Sequence, residues 1–153
     1  MMILGEEAAY LHDIFIETFV NIDCEYYREN IQKKQQFSDG EFSVGYLWDC
    51  MVQRKVVSMN FVTDFLQRLS SEVYILWDAH SCDLIWIENY WKYPKDAVLC
   101  VPADLIPGLL PTLTDDCYFF DKTLTWAIAL THEESKPGRR FCLFTDLNQR
   151  ISK

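Results

Sequence analysis

The sequence predicts an α+β domain, with N-terminal helices packed on one face of a mainly antiparallel sheet of about five to six strands. Apolar residues recur at helical spacing up to about residue 70. From Ser71 onward the chain turns to short apolar runs rich in β-branched and aromatic residues, bounded by turn formers. A composition of 50% hydrophobic and 15% aromatic residues supplies one core, and a split near Ser70 would leave each part with little core of its own. Residues 1–153 therefore read as a single domain, with a helical half over about 6–70 and a sheet half over about 71–145.

The first element is an amphipathic helix. Leu11, Ile14, Phe15, Thr18, Phe19 and Ile22 share a stripe, and Glu6, Glu7, Asp13 and Glu17 lie largely off it. A weaker helix is expected from about Asp23 through Tyr27 and Ile31 to Gln36, stopped by Ser38-Asp39-Gly40. Val44, Leu47, Trp48, Met51 and Val52 repeat the helical spacing. So do Val62, Phe65, Leu66 and Leu69 after an Asn60 cap.

Strands are expected at Val73 to Trp77 and Leu84 to Ile87, with a turn around Ala79 to Asp83. Ala97 to Val101 is a third, ended by Pro102, which suits the first turn of a short helix to about Leu110 that Pro107 makes irregular. Cys117 to Asp121, Leu124 to Thr131 and Arg140 to Phe144 close the chain. Their short connections, Asp121-Lys122-Thr123 and the Pro137-Gly138 loop, require antiparallel neighbours.

Composition excludes several classes. Met1 to Glu7 is a short apolar run with no basic flank and acids following at once, so it does not read as a secretory signal. No apolar run approaches the roughly 20 residues of a membrane helix, and a cytoplasmic location is expected. Cys24, Cys50, Cys82, Cys100, Cys117 and Cys142 are scattered without a CxxC pair, which in a reducing compartment means free thiols.

The net charge of −9 is uneven. Between Ser71 and Glu134 eleven acids face three lysines, a balance of −8, whereas the tail from Ser135 carries +4 and the first seventy residues −5. An acidic body repels phosphate backbones, so nucleic acid is disfavoured as a partner. A basic protein would be attracted.

No complete catalytic or cofactor motif can be written. Asp78, His80, Cys82 and Asp83 offer zinc-ligand types, the first three on one face if the strand continues, and His132-Glu133 could complete a set. The competing reading is a turn, because one His and one Cys at i, i+2 lack paired zinc spacing. His132-Glu133-Glu134 is followed by Ser135 and Lys136, with no second His to make a metalloprotease helix. A Gly-x-Ser-x-Gly elbow is missing, and the five glycines are too scattered for a phosphate loop. His12 reads as a surface residue on its helix. No cofactor or metal is implied, and no residue is assigned as catalytic.

Recognition features are better represented. Asp115-Asp116 and Glu133-Glu134 read as a solvated turn before Cys117 and a solvated hairpin loop, both able to face a partner. Asn89-Tyr90-Trp91-Lys92-Tyr93-Pro94 places large amphipathic side chains together at a strand end. Tyr90, Trp91 and Tyr93 suit a binding patch, since such rings lose little entropy on binding; the competing reading is packing around the sheet.

Gly45-Tyr46-Leu47-Trp48-Asp49-Cys50, Val73-Tyr74-Ile75-Leu76-Trp77-Asp78, Tyr118-Phe119-Phe120-Asp121 and Thr125 to Glu133 give the chain a further character. Over roughly residues 41 to 144 it resembles small cytosolic bacterial proteins, among them immunity proteins that neutralise toxins of competing cells. The resemblance implies a protein-binding inhibitor that occludes the active site of a toxin domain, which a basic nuclease would suit, through Asp115, Asp116, Glu133, Glu134, Tyr90, Trp91 and Tyr93. A small hydrolase-like or zinc-binding enzyme using His80 or His132 with nearby acids is the alternative. A structural subunit of a larger assembly is a third reading, and the sequence leaves the oligomeric state open.

Overall fold

The computed structural model describes residues 1–37, 40–42, 45–78, 84–85, 93–94, 96–113, 115–136 and 139–148. Of residues 35, 37, 40–42, 84–85, 93–94 and 135–136 it describes the backbone. The elements in order are β1 (Met2–Ile3), α1 (Gly5–Phe19), α2 (Glu25–Tyr27) running into a π-helical turn at Arg28–Gln32, β2 (Gln35–Phe37), β3 (Gly40–Phe42), β4 (Arg54–Val57) and α3 (Met59–Gln67). There follow β5 (Glu72–Trp77), β6 (Leu84–Ile85), β7 (Tyr93–Pro94), β8 (Val98–Pro102), α4 (Ile106–Leu109), β9 (Cys117–Phe120), β10 (Trp126–Lys136) and β11 (Arg139–Asp146). This is an α+β fold around one antiparallel sheet of seven strands, ordered β1-β8-β5-β9-β10-β11-β4. The count exceeds the expected five to six because β1 and β4 come from the N-terminal part.

The two faces of the sheet are both covered, which corrects the expectation of helices on one face. Val73, Ile75 and Trp77 of β5 join Val62 and Leu66 of α3, whereas Leu76 joins Leu11, Phe15 and Phe19 of α1. The physical reason is the uninterrupted apolar run from Val73 to Trp77 in β5: successive side chains point to opposite faces, and such a run needs cover on each side. Phe15 is fully buried against Phe19, Tyr118 and Phe120, with ring centroids 5.1–5.2 Å apart. On the opposite face Phe65 meets Trp126 and Phe144 edge-on at 4.8 and 5.1 Å.

Helix α1 begins at Gly5, whose φ of +67° suits a residue without a Cβ, and Glu6 and Glu7 sit in its first turn, where negative charge is favoured. It ends at Phe19, so Ile22 lies beyond it and is exposed. The second helix ends at Gln32, earlier than expected, and β2 starts at Gln35. Helix α3 is capped by Ser58 rather than Asn60: the Ser58 hydroxyl accepts the Phe61 N–H at 3.1 Å.

The largest departure lies between Leu47 and Val57. The spacing of Val44, Leu47, Trp48, Met51 and Val52 predicts a helix, but the chain makes a 3-10 turn at Leu47–Cys50, reaches φ +48° at Gln53 and enters β4. Its first amides are taken by side chains of the sheet, as described below, so the turn is satisfied without helical continuation. Beyond Pro102, two 3-10 turns flank α4, the irregularity expected from Pro107. Strand β10 runs to Lys136 instead of stopping at Thr131, with register shifts between Leu130 and Glu134 and between Glu134 and Lys136.

Candidate functional site

The best-organised polar group lies where the Leu47–Cys50 turn meets β5, β9 and β10. It is positioned from below by the buried carboxyl of Asp78, which directly follows β5. Asp78 Oδ1 accepts the Leu47 N–H at 2.9 Å, and Oδ2 accepts the Tyr118 hydroxyl at 2.5 Å. The same hydroxyl oxygen accepts the Trp48 N–H at 2.9 Å. Burial pushes the Asp78 carboxyl up to about 8, against the bonds from Tyr118 and Leu47 that favour its charged form. Burial likewise raises the Tyr118 hydroxyl well above its ordinary value.

Tyr46 is held at the entry to this turn. Its N–H is donated to the Tyr26 hydroxyl at 3.2 Å, and the preceding Gly45 N–H reaches the Asn30 carbonyl at 2.9 Å. Glycine is required there, because a Cβ on Gly45 would come within 2.7 Å of Asn30 Cβ. The Tyr46 ring stacks on Trp48 at 5.3 Å.

Asp116 ties this turn to the surface. Its φ of +62° directs the chain from the turn into β9, and its N–H donates to the Leu130 carbonyl at 2.7 Å. Asp116 Oδ1 accepts the Trp48 indole N–H at 3.0 Å and the His132 main-chain N–H at 3.2 Å. His132 Nδ1 lies 3.0 Å from Oδ1 and 3.1 Å from Oδ2. Hydrogen bonding to Asp116 holds the imidazole above its ordinary value. The His132 side chain is 41% exposed and leans on Tyr46 and Trp48, with centroids at 4.8 and 5.9 Å.

Outside this group is a shallow hollow of about 230 Å³ lined by Asp115, Thr131, His132, Glu133, Glu134 and Arg140. Arg140 pairs with Asp115 at 2.6 Å. The Thr131 hydroxyl is turned inward, donating to the Phe141 carbonyl at 2.6 Å and accepting the Glu133 N–H at 3.2 Å. Glu133 and Glu134 are exposed. Three carboxylates thus line the hollow beside one guanidinium and one imidazole, an arrangement that attracts cationic groups.

All four acids singled out in the sequence come together here, in unequal roles. Asp115, Glu133 and Glu134 line the hollow, whereas Asp116 lies behind His132 and is engaged with protein groups. Glu133 and Glu134 stand on β10 rather than in a hairpin loop. Tyr90 and Trp91 lie outside the described residues, and Tyr93 is described only as backbone on β7. His80, Cys82 and Asp83 also lie outside them. Asp78 is not an available ligand, because one of its oxygens accepts the Leu47 N–H and the other the Tyr118 hydroxyl. Among the described residues no group of three His, Cys, Asp or Glu is placed to hold a metal ion. His12 is half-buried rather than a surface residue, its Nε2 3.2 Å from the Asp96 carbonyl.

Sequence reasoning missed Tyr46, Trp48 and Tyr118 as parts of this site. Their aromatic character signalled burial, but polar atoms of Trp48 and Tyr118 link Asp78 to Asp116, and the Tyr46 ring packs on Trp48 and His132. No protein-family model matches the chain, and neither a curated protein nor a solved structure is significantly similar to it. No described helix is long and apolar enough to cross a membrane.

Proposed function

We propose that the protein is a recognition protein of the immunity type, which binds a basic toxin domain through the acidic end of β9, β10 and β11 and covers its active site. The observation that carries this reading is the convergence of Asp115, Glu133 and Glu134 on one exposed hollow backed by the Asp116–His132–Trp48 group. Exposed carboxylates raise the rate at which a cationic partner arrives, and a rigid backing lowers the cost of binding. The chain's net charge of −9 acts in the same direction.

The test is affinity purification from the native cells, with the unaltered chain beside a Asp115→Lys, Glu133→Lys, Glu134→Lys variant. A basic protein retained by the first and lost by the second supports the reading. Retention of the same partner by both removes these acids from the interface.

A second reading has one specific observation behind it. Asp116 binds His132 through Nδ1, the arrangement that orients an imidazole as a general base. A hydrolytic activity abolished by His132→Gln in a folded protein would favour that reading over recognition.

A further inference from the structure

We propose that Cys24 and Cys50 form a reversible dithiol–disulfide pair, closed by an oxidised low-molecular-weight thiol such as glutathione disulfide. The fold brings these residues together across a gap of twenty-six positions. The chain leaving α1 runs beside the chain leaving the Leu47–Cys50 turn: Val52 N–H donates to Phe19 O and Asn21 N–H to Cys50 O, each at 2.8 Å, and Val20 bridges Met51. The chain then folds back, with Cys24 N–H on Asn21 O at 3.4 Å. Cys24 packs against the core cluster that contains Cys50, and it lies near enough to act on the Cys50 thiol. Both are unlinked in the structure.

Their surroundings assign different roles. Cys24 is half-buried, and its Sγ accepts the Tyr27 N–H at 3.4 Å. Cys50 is buried, with Sγ donating to the Leu47 carbonyl at 3.4 Å, and burial pushes its thiol up to about 12. Cys24 is therefore the sulfur that meets an external reagent. Its thiolate attacks one sulfur of glutathione disulfide, the S–S bond of that reagent breaks, and one glutathione thiolate leaves. Cys50 then gives its proton to solvent and its sulfur attacks Cys24 Sγ, expelling the second glutathione. The two protein thiols are oxidised and one glutathione disulfide is reduced to two thiols.

The pair differs from the other described cysteines. Cys100 donates to Glu72 at 3.0 Å, Cys142 to Met59 Sδ at 3.2 Å, and Cys117 is fully buried. A Cys24–Cys50 bond would clamp the segment after α1 to the turn that carries Trp48. The Trp48 indole in turn holds Asp116.

The experiment exposes the reduced full-length chain to glutathione disulfide, blocks remaining thiols under denaturing conditions and maps peptides without reduction. The expected result is a Cys24–Cys50 cross-linked peptide, loss of both residues from the alkylated set, and recovery of both after dithiothreitol. Cys24→Ser is expected to abolish the cross-link, and Cys50→Ala to stop the reaction at a Cys24–glutathione mixed disulfide. A stable mixed disulfide in the unaltered chain, a link from either residue to Cys82, or two unreacted thiols would each overturn the proposal. The unaltered chain decides the outcome even if Cys50→Ala fails to fold.

Discussion

Asp116 holds His132 by both the main-chain N–H and the ring, with Nδ1 at 3.0 Å from Oδ1, while the same oxygen accepts the Trp48 indole at 3.0 Å. One carboxylate therefore fixes the exposed imidazole relative to the buried turn. Removing it with Asp116→Asn is expected to lower the His132 titration midpoint towards its ordinary value near 6.5, read from the imidazole resonances by NMR. Because the folded midpoint is raised, the stabilisation from this pair is fully present below about pH 6.5 and is lost as pH rises through the folded midpoint. The stability difference between the unaltered chain and His132→Gln should accordingly shrink from acid to alkaline pH.

Asp78 changes stability with pH in the same direction. Its folded carboxyl lies at about 8, above the ordinary 3.8, so the folded state holds a proton that the unfolded state has released between those values. Stability should fall as pH rises through that window, and Asp78→Asn should remove this part of the slope. Urea unfolding of both chains at several pH values between about 5 and 8 measures it.

Tyr118 serves Asp78 and the Trp48 amide with one hydroxyl. Tyr118→Phe keeps the ring in the core and leaves two buried partners without it. The expected cost is about 1–3 kcal/mol in urea unfolding. An unchanged midpoint would mean that water replaces the hydroxyl.

Cover on both sheet faces gives a paired prediction. Phe15→Ala on α1 should cost about 3–5 kcal/mol and Leu66→Ala on α3 about 2–5 kcal/mol, since both side chains are fully buried. A negligible loss for Leu66→Ala would contradict a core on the α3 face.

Much of the fold was legible because its strongest signals are local. The Leu11-Phe15-Phe19 stripe, the short apolar run of β5 and the short links between β9, β10 and β11 each dictate a neighbour. The continuous apolar run Val73 to Trp77 even carried the information that both faces are buried. The Leu47–Cys50 turn was not legible, because Leu47, Trp48 and Met51 match helical spacing while their conformation is set by Asp78 and Tyr118, 31 and 70 positions away in sequence. Strand β4 was hidden for a related reason: Lys55 and Val56 are exposed at the sheet edge and show no burial alternation. The acids of the candidate site were visible as charge, but only tertiary structure separates Asp116, which binds Trp48 and His132, from Asp115, Glu133 and Glu134 around the hollow.

The central claim is recognition of a basic partner by that hollow, and association kinetics test it most directly. With the partner recovered from native cells, the account predicts an association rate that falls steeply with added salt and drops by about tenfold or more in the Asp115→Lys, Glu133→Lys, Glu134→Lys variant. An association rate that is insensitive to salt and unchanged in the variant would contradict it.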